Sequence, residues 1–204
     1  MTSLKNGLPN LMRHVENINT IYGLPVVVAL NRFGTDTDAE LDLVKTSVNV
    51  PVALTEVFAK GGEGGKELAK AVMAAAEKPS KFSFAYDLDR PLKEKIETIA
   101  KRVYRASGVS FEPEASRMLR RFEKDGYGKL PICIAKTQYS FSDNPKLLGA
   151  PTGFEVKIRR VKLSAGAGFV VALAGDIMTM PGLPPVPAAE SIDVSLDGVI
   201  SGLF

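Results

Sequence analysis

Apolar residues at Leu8, Leu11, Met12, Val15 and Ile18 recur at helical spacing, and Gly23 and Pro25 follow as stop signals. This pattern predicts one amphipathic helix from Leu8 to Ile21. Val26 to Leu30 is then a continuous apolar, β-branched run, the pattern of a parallel strand buried on both faces. After the loop Asn31 to Thr35, Thr37 with Glu40 three residues on reads as a capping box, opening a short helix through Lys45 with Leu41 and Val44 inward. A second strand, Val50 to Leu54, leads to the glycine-rich loop Lys60 to Gly65. That loop opens a helix whose Leu68, Ala69, Val72, Met73 and Ala76 form a buried stripe.

The alternation of strand and helix stops at Lys78 to Phe84, the best candidate for a domain boundary. Beyond it, Asp89 and Pro91 start a helix with Leu92, Ile96, Ile99, Ala100 and Val103 on one face. Pro113 starts another with Ala115, Met118, Leu119 and Phe122. Three strands are expected: Leu130 to Ala135, a period-two run from Phe154 that slips at Arg159 and Arg160 as a bulge does, and Phe169 to Ala174. The proline-rich stretch 180–187 is expected to run extended over the surface. No internal repeat or low-complexity tract is visible.

At 204 residues, the chain has room for one large domain or two small ones, at a prior of roughly 150 residues each. Its 26 Lys and Arg against 23 Asp and Glu give a charge of +3, spread without a basic run or interleaved aromatics, so no nucleic-acid footprint is present. A single cysteine, Cys133, excludes an internal disulfide framework and a multi-thiolate zinc site, and a single histidine, His14, excludes a histidine-rich metal centre. No apolar run reaches the roughly 18 residues of a membrane span, and the first ten residues hold no signal-peptide core. A soluble, cytoplasmic protein is expected.

The glycine-rich loop lies between strand and helix, where backbone amides hold anions. It is not a nucleotide P-loop: in the frame ending Gly65-Lys66-Glu67, Lys60 stands at the first glycine and Glu67 at the hydroxyl position. An anion site and a plain turn both remain open. Gly166-Ala-Gly168 fails the dinucleotide pattern because Val171 replaces its third glycine, and reads as a tight connection between strands. The loop from Asn31 to Asp36 follows a strand, where ligands of open α/β sheets bind. Within it Phe33 is either a stacking platform or a core plug, and local sequence favours the plug. Phe58 ends the next strand at the same side, so the two aromatics are placed to clamp a flat ring. Cys133 reads as a buried strand residue and His14 as a hydrogen-bonded structural histidine. The polar run Lys136 to Ser140 suits a binding role or a solvated turn equally.

Taken together, Asn31-Arg-Phe33 with Thr35-Asp36-Thr37, Phe58-Ala-Lys-Gly-Gly-Glu-Gly-Gly65, Lys136-Thr-Gln-Tyr-Ser140, Pro151-Thr-Gly-Phe154, Gly166-Ala-Gly-Phe169, Met178-Thr-Met-Pro-Gly-Leu-Pro184 and the closing Gly202-Leu-Phe204 resemble the formate-tetrahydrofolate ligase family, in order and over essentially the whole chain. Only the C-terminal third or so of such an enzyme is covered. The family's P-loop and its formate- and phosphate-handling groups have no counterpart here. The resemblance implies the end of a parallel-sheet, P-loop NTPase-like α/β domain (1–80, lacking the P-loop) followed by a smaller mixed α/β C-terminal domain (81–204). It also implies ATP-dependent formylation of tetrahydrofolate by formate through formyl phosphate, with Mg2+ and a monovalent cation, K+ or NH4+.

No catalytic or metal-binding residue is assigned to this chain. The resemblance gives it a ring slot for nucleotide or folate built from Asn31, Phe33, Leu54, Phe58, Gly61 and Gly62. Phe58 stands where the family commonly has tryptophan, Gly34 where proline is common, and the stretch between Val44 and Val52 is about one helical turn short. A partner N-terminal P-loop segment and a homo-oligomer are expected, with no nucleic acid and no membrane. The competing readings are a non-catalytic nucleotide- or folate-binding module and a structural piece that assembles with a separate N-terminal chain.

Overall fold

The β-branched run near residue 26 becomes a strand one or two residues later than its pattern predicts. In a computed structural model, which describes residues 1–177 and 185–202, β1 (Val28–Asn31) pairs in parallel with β2 (Val52–Thr55), in register from Val28↔Val52 to Asn31↔Thr55. The crossover between them carries α2 (Asp38–Ser47), whose capping box forms as its sequence predicts. The Thr37 hydroxyl accepts from the Glu40 amide, and the Glu40 carboxylate accepts from the Thr37 amide at 3.1 Å. Leu41 and Val44 are its buried positions.

The expectation that the first strand is buried on both faces fails, since β1 alternates half-buried and exposed residues. Its sheet has only two strands, and β1 has one hydrogen-bonded neighbour. α1 starts earlier than its apolar stripe, at Thr2, and runs as Thr2–Glu16 before a π-helical turn, Asn17–Ile21. The glycine-rich segment is not an open loop. α3 (Val57–Lys60), a 3-10 turn over Gly61–Gly65 and α4 (Lys66–Ala76) follow one another without a break. α4 packs on β2, yet it buries no residue fully: Val72 and Met73 of its expected stripe are 48% and 67% exposed. Residues 79–91 contain no helix or strand.

The second half forms two layers. α5 (Leu92–Thr98), extended by a π-helical turn over Ile99–Val103, and α6 (Pro113–Phe122), extended through Glu123–Tyr127, cover a four-stranded sheet in the order β3-β5-β6-β4. β3 (Gly108–Phe111) is parallel to β5 (Glu155–Ser164), β5 is antiparallel to β6 (Phe169–Ala174), and β6 is parallel to β4 (Ile132–Ala135). The sheet is therefore mixed. Leu92, Ile96, Ala100, Ala115 and Leu119 pack on Val156, Ile158, Val170 and Ala172, all essentially without solvent contact.

The expected slip in β5 is present as a register shift between Ile158 and Arg160. The turn at Gly166 and Gly168 closes the β5–β6 hairpin, where Gly168 takes a φ of +74° and donates to Ser164 at 2.9 Å. β3 is not foreseen by the sequence pattern. Neither is the short C-terminal hairpin of β7 (Asp193–Val194) and β8 (Ile200–Ser201). Cys133 lies exposed on edge strand β4, not buried, because alternate residues of an edge strand face outward. Most of the proline-rich stretch, residues 180–184, and the whole of the 178–184 motif lie outside the described residues, as do the last two residues of the closing Gly202-Leu-Phe204.

α1 and the π-helical turn that follows it tie the two halves together. Asn17 Nδ2 donates to the Val103 carbonyl at 2.9 Å, Asn10 Nδ2 to the Gly149 carbonyl at 2.8 Å, and Arg105 pairs with Glu16 at 2.9 Å. Among the described residues no helix is long and apolar enough to cross a membrane.

Candidate functional site

Parallel pairing puts the carboxyl ends of β1 and β2 side by side, and each strand end leads into a differently braced turn. Asn31 faces Thr55, whose buried hydroxyl donates to Asn31 Oδ1 at 3.3 Å. The Arg32 amide donates to the Thr55 carbonyl at 3.0 Å, carrying the ladder one residue past β1. The chain then turns. The Phe33 amide donates to Asp36 Oδ2 at 2.8 Å, and the Asp36 amide donates back to the Phe33 carbonyl at 3.1 Å. Arg32 pairs with Asp38 at 3.0 Å, in the first turn of α2. Phe33 thus has a fixed backbone and a ring 64% exposed, so it is not a core plug.

On the neighbouring strand, Leu54 is half-buried beside Leu30, and the chain leaves at Glu56. The Glu56 amide donates to the Gly64 carbonyl at 3.0 Å, closing residues 56 to 64 into a ring of backbone. A Cβ on Gly64 would lie 2.5 Å from the Glu56 carbonyl carbon and oxygen, so only glycine fits this closure. Lys60 bonds Glu56 at 2.5 Å and holds that carboxyl below the ordinary glutamate range. Phe58 projects from this ring into solvent, with no part of its side chain covered. Gly61 needs its φ of +56°, whereas a Cβ at either Gly61 or Gly62 would meet open space.

The register therefore brings Asn31, Thr55 and Leu54 to one edge, with Phe33 two residues beyond β1 and Phe58 not at a strand end, as its sequence suggests, but in α3, three residues beyond β2. Neither ring stacks on another aromatic ring among the described residues. This edge offers flat apolar surface and backbone amides, and its charged side chains are taken up in the pairs Arg32–Asp38 and Lys60–Glu56. Among the described residues no three His, Cys, Asp or Glu side chains converge. Sequence reading missed Asp36, Glu56 and Gly64. Asp36 sits in the quoted motif as a turn former, but nothing in the run of glycines separates Gly64, which touches backbone, from Gly62, which touches nothing.

All 204 residues match the family model for formate-tetrahydrofolate ligase. A formate-tetrahydrofolate ligase of Symbiobacterium thermophilum is 58% identical over 207 residues, an alignment covering all of this chain and 37% of that protein. The chain thus spans little more than a third of the length of the curated relative it matches. With the whole chain matched by the model and more than half its residues identical to a relative of that name, it belongs to the formate-tetrahydrofolate ligase family.

Proposed function

We propose that this chain supplies the planar-ring slot of a formate-tetrahydrofolate ligase, with Phe33 and Phe58 as its two walls, Leu54 beside the ring, and Asn31, Gly61 and Gly62 at its rim. The observation that carries this reading is the parallel register Asn31↔Thr55, with two solvent-exposed aromatics shortly beyond the neighbouring strand ends. In aqueous solution an uncovered phenylalanine on a braced turn contributes nothing to the core. It is suited to stack on a flat partner, the adenine of ATP or the pterin of tetrahydrofolate.

In the complete ligase the reaction joins formate to tetrahydrofolate at the expense of ATP, through formyl phosphate. Residues 1–80 serve as the end of a P-loop NTPase-like domain and residues 81–204 as a C-terminal domain. The phosphate-binding groups, Mg2+ and a monovalent cation belong to the part of the ligase that this chain does not span. No Walker A pattern occurs in the sequence, so the chain alone is expected to form no 10-formyltetrahydrofolate from formate, ATP and tetrahydrofolate.

The slot is tested by nucleotide and folate affinity in a complete ligase that includes this chain. Stacking contributes roughly 0.5 to 1.5 kcal/mol beyond area burial, so Phe33→Ala and Phe58→Ala should each weaken binding about two- to tenfold. Phe58→Trp should tighten it. Unchanged affinity for both ligands in both folded alanine variants overturns the reading.

A further inference from the structure

The polar run after β4 borders an open-mouthed cavity of about 330 Å3, to which α1 contributes Asn10 and His14 and the turn after α5 contributes Tyr104. Lys136 is its central cation. Its ammonium donates to the Ser140 carbonyl and, at 3.2 Å, to the Thr137 carbonyl, and it lies 5.0 Å from the centre of the Tyr104 ring. The two carbonyls take two of its three hydrogens and carry no net charge, leaving one N–H for a ligand. His14 stands at the rim with its ring centre 4.5 Å from that of Phe141, which is itself buried.

None of the described residues lining this cavity is a carboxylate. Asp143, which accepts from the Lys157 amide at 2.9 Å, lines a neighbouring hollow that shares Thr137 and Gln138 with this one, and its charge still pulls on Lys136 from there. Glu16, on the same helix as His14, is paired with Arg13 at 3.1 Å and with Arg105.

We propose that this cavity binds a small organic monoanion, a carboxylate carried on a planar apolar body, with the carboxylate at Lys136 and His14 and the body against Tyr104, Ile134 and Phe141. Among the described residues the lysine forms no ion pair and feels Asp143 only at longer range, so it has at most one positive charge to offer, which matches a monoanion better than a doubly charged phosphate. The aromatic and aliphatic walls give an apolar body something to cover. The volume sits at the small end of the range for small-molecule sites. Burial, more than the pull of Asp143, holds the Lys136 ammonium below the ordinary lysine range; burial first and Lys136 second hold the His14 imidazole down. A seated anion relieves both.

His14 is the only histidine in the chain, so its ring resonances need no assignment by mutation. The experiment follows its titration by NMR in the 204-residue chain with added benzoate, acetate or inorganic phosphate. Benzoate is expected to raise the His14 midpoint saturably, by roughly half a unit, and at lower concentration than acetate or phosphate. Lys136→Met should weaken that binding about tenfold through loss of the charge-assisted contact, while Lys136→Arg, which keeps the charge, should retain it. The absence of a saturable shift, phosphate acting as well as benzoate, or a folded Lys136→Met chain binding benzoate as the parent does each overturns the proposal. If Lys136→Met does not fold, the arginine variant decides: loss of the shift in that folded variant also overturns it.

Discussion

Single polar side chains do much of the joining in this molecule. Lys95 has no solvent-exposed surface, and its ammonium donates to the carbonyls of Gly128 and Leu130 at 2.6 and 3.0 Å, pinning the approach to β4. Lys95→Met keeps the stem's packing but strips both carbonyls of their donor. Each unpaired buried acceptor costs about 1 to 3 kcal/mol, partly offset because no charge is buried any longer. A net loss of about 1 to 3 kcal/mol is expected in urea unfolding. Glu40 gives a pH-dependent counterpart. Hydrogen bonds from Thr37 hold its carboxyl below its ordinary value of 4.5. Because the folded value is the lower one, this contribution is complete above pH 4.5 and is lost as pH falls through the folded value. The protection factors of α2 amides, with intrinsic exchange rates divided out, should therefore fall as pH drops through that value, and Glu40→Gln should flatten this acid dependence.

At the scale of elements, the closed segment from Glu56 to Gly64 decides how Phe58 is presented. Gly64→Ala forces its new methyl into the Glu56 backbone and should cost about 1 to 3 kcal/mol, an overpacking that backbone cannot relieve by turning a rotamer. Gly62→Ala meets open space and should stay within about 0.5 kcal/mol. Equal melting temperatures for the two variants would show that the closure is not rigid. The two glycines also mark the limit of what the sequence discloses. The capping box, the β5 slip and the hairpin turn were legible because each depends on residues within a few positions of one another. The closure at Gly64 was not, since it depends on where the Glu56 backbone goes. Local sequence favours a core plug at Phe33 for a related reason: hydrophobicity states what a residue prefers, but the bond between its amide and Asp36 fixes the turn that leaves the ring outside. β3 was hidden because Gly-Val-Ser-Phe has too few alternating positions to stand out, and its strand exists through pairing with β5.

The molecule as a whole is unevenly covered. Its four-stranded sheet has a helix layer and a closed core, whereas the two-stranded parallel sheet has half-buried or exposed residues along β1 and no fully buried residue in the helix packed on β2. Parallel sheets are ordinarily sheltered on both faces, and two strands alone are marginal in water. Phe33, Phe58, Val72, Met73, Phe82 and Phe84 are all large, apolar and half or more exposed, or nearly so, and most lie in that first half. In the relative from Symbiobacterium thermophilum, nearly two thirds of the protein lies beyond the aligned part. Purified by itself, the chain should bind a hydrophobic dye and sediment as a species heavier than 21.9 kDa at micromolar concentration. Its first half should exchange amides faster than the α5, α6 and β5 core, because local opening is cheapest where least apolar surface is buried. A monodisperse monomer with low dye binding and uniform protection would mean that the two-stranded sheet is stable as it stands and needs no covering partner.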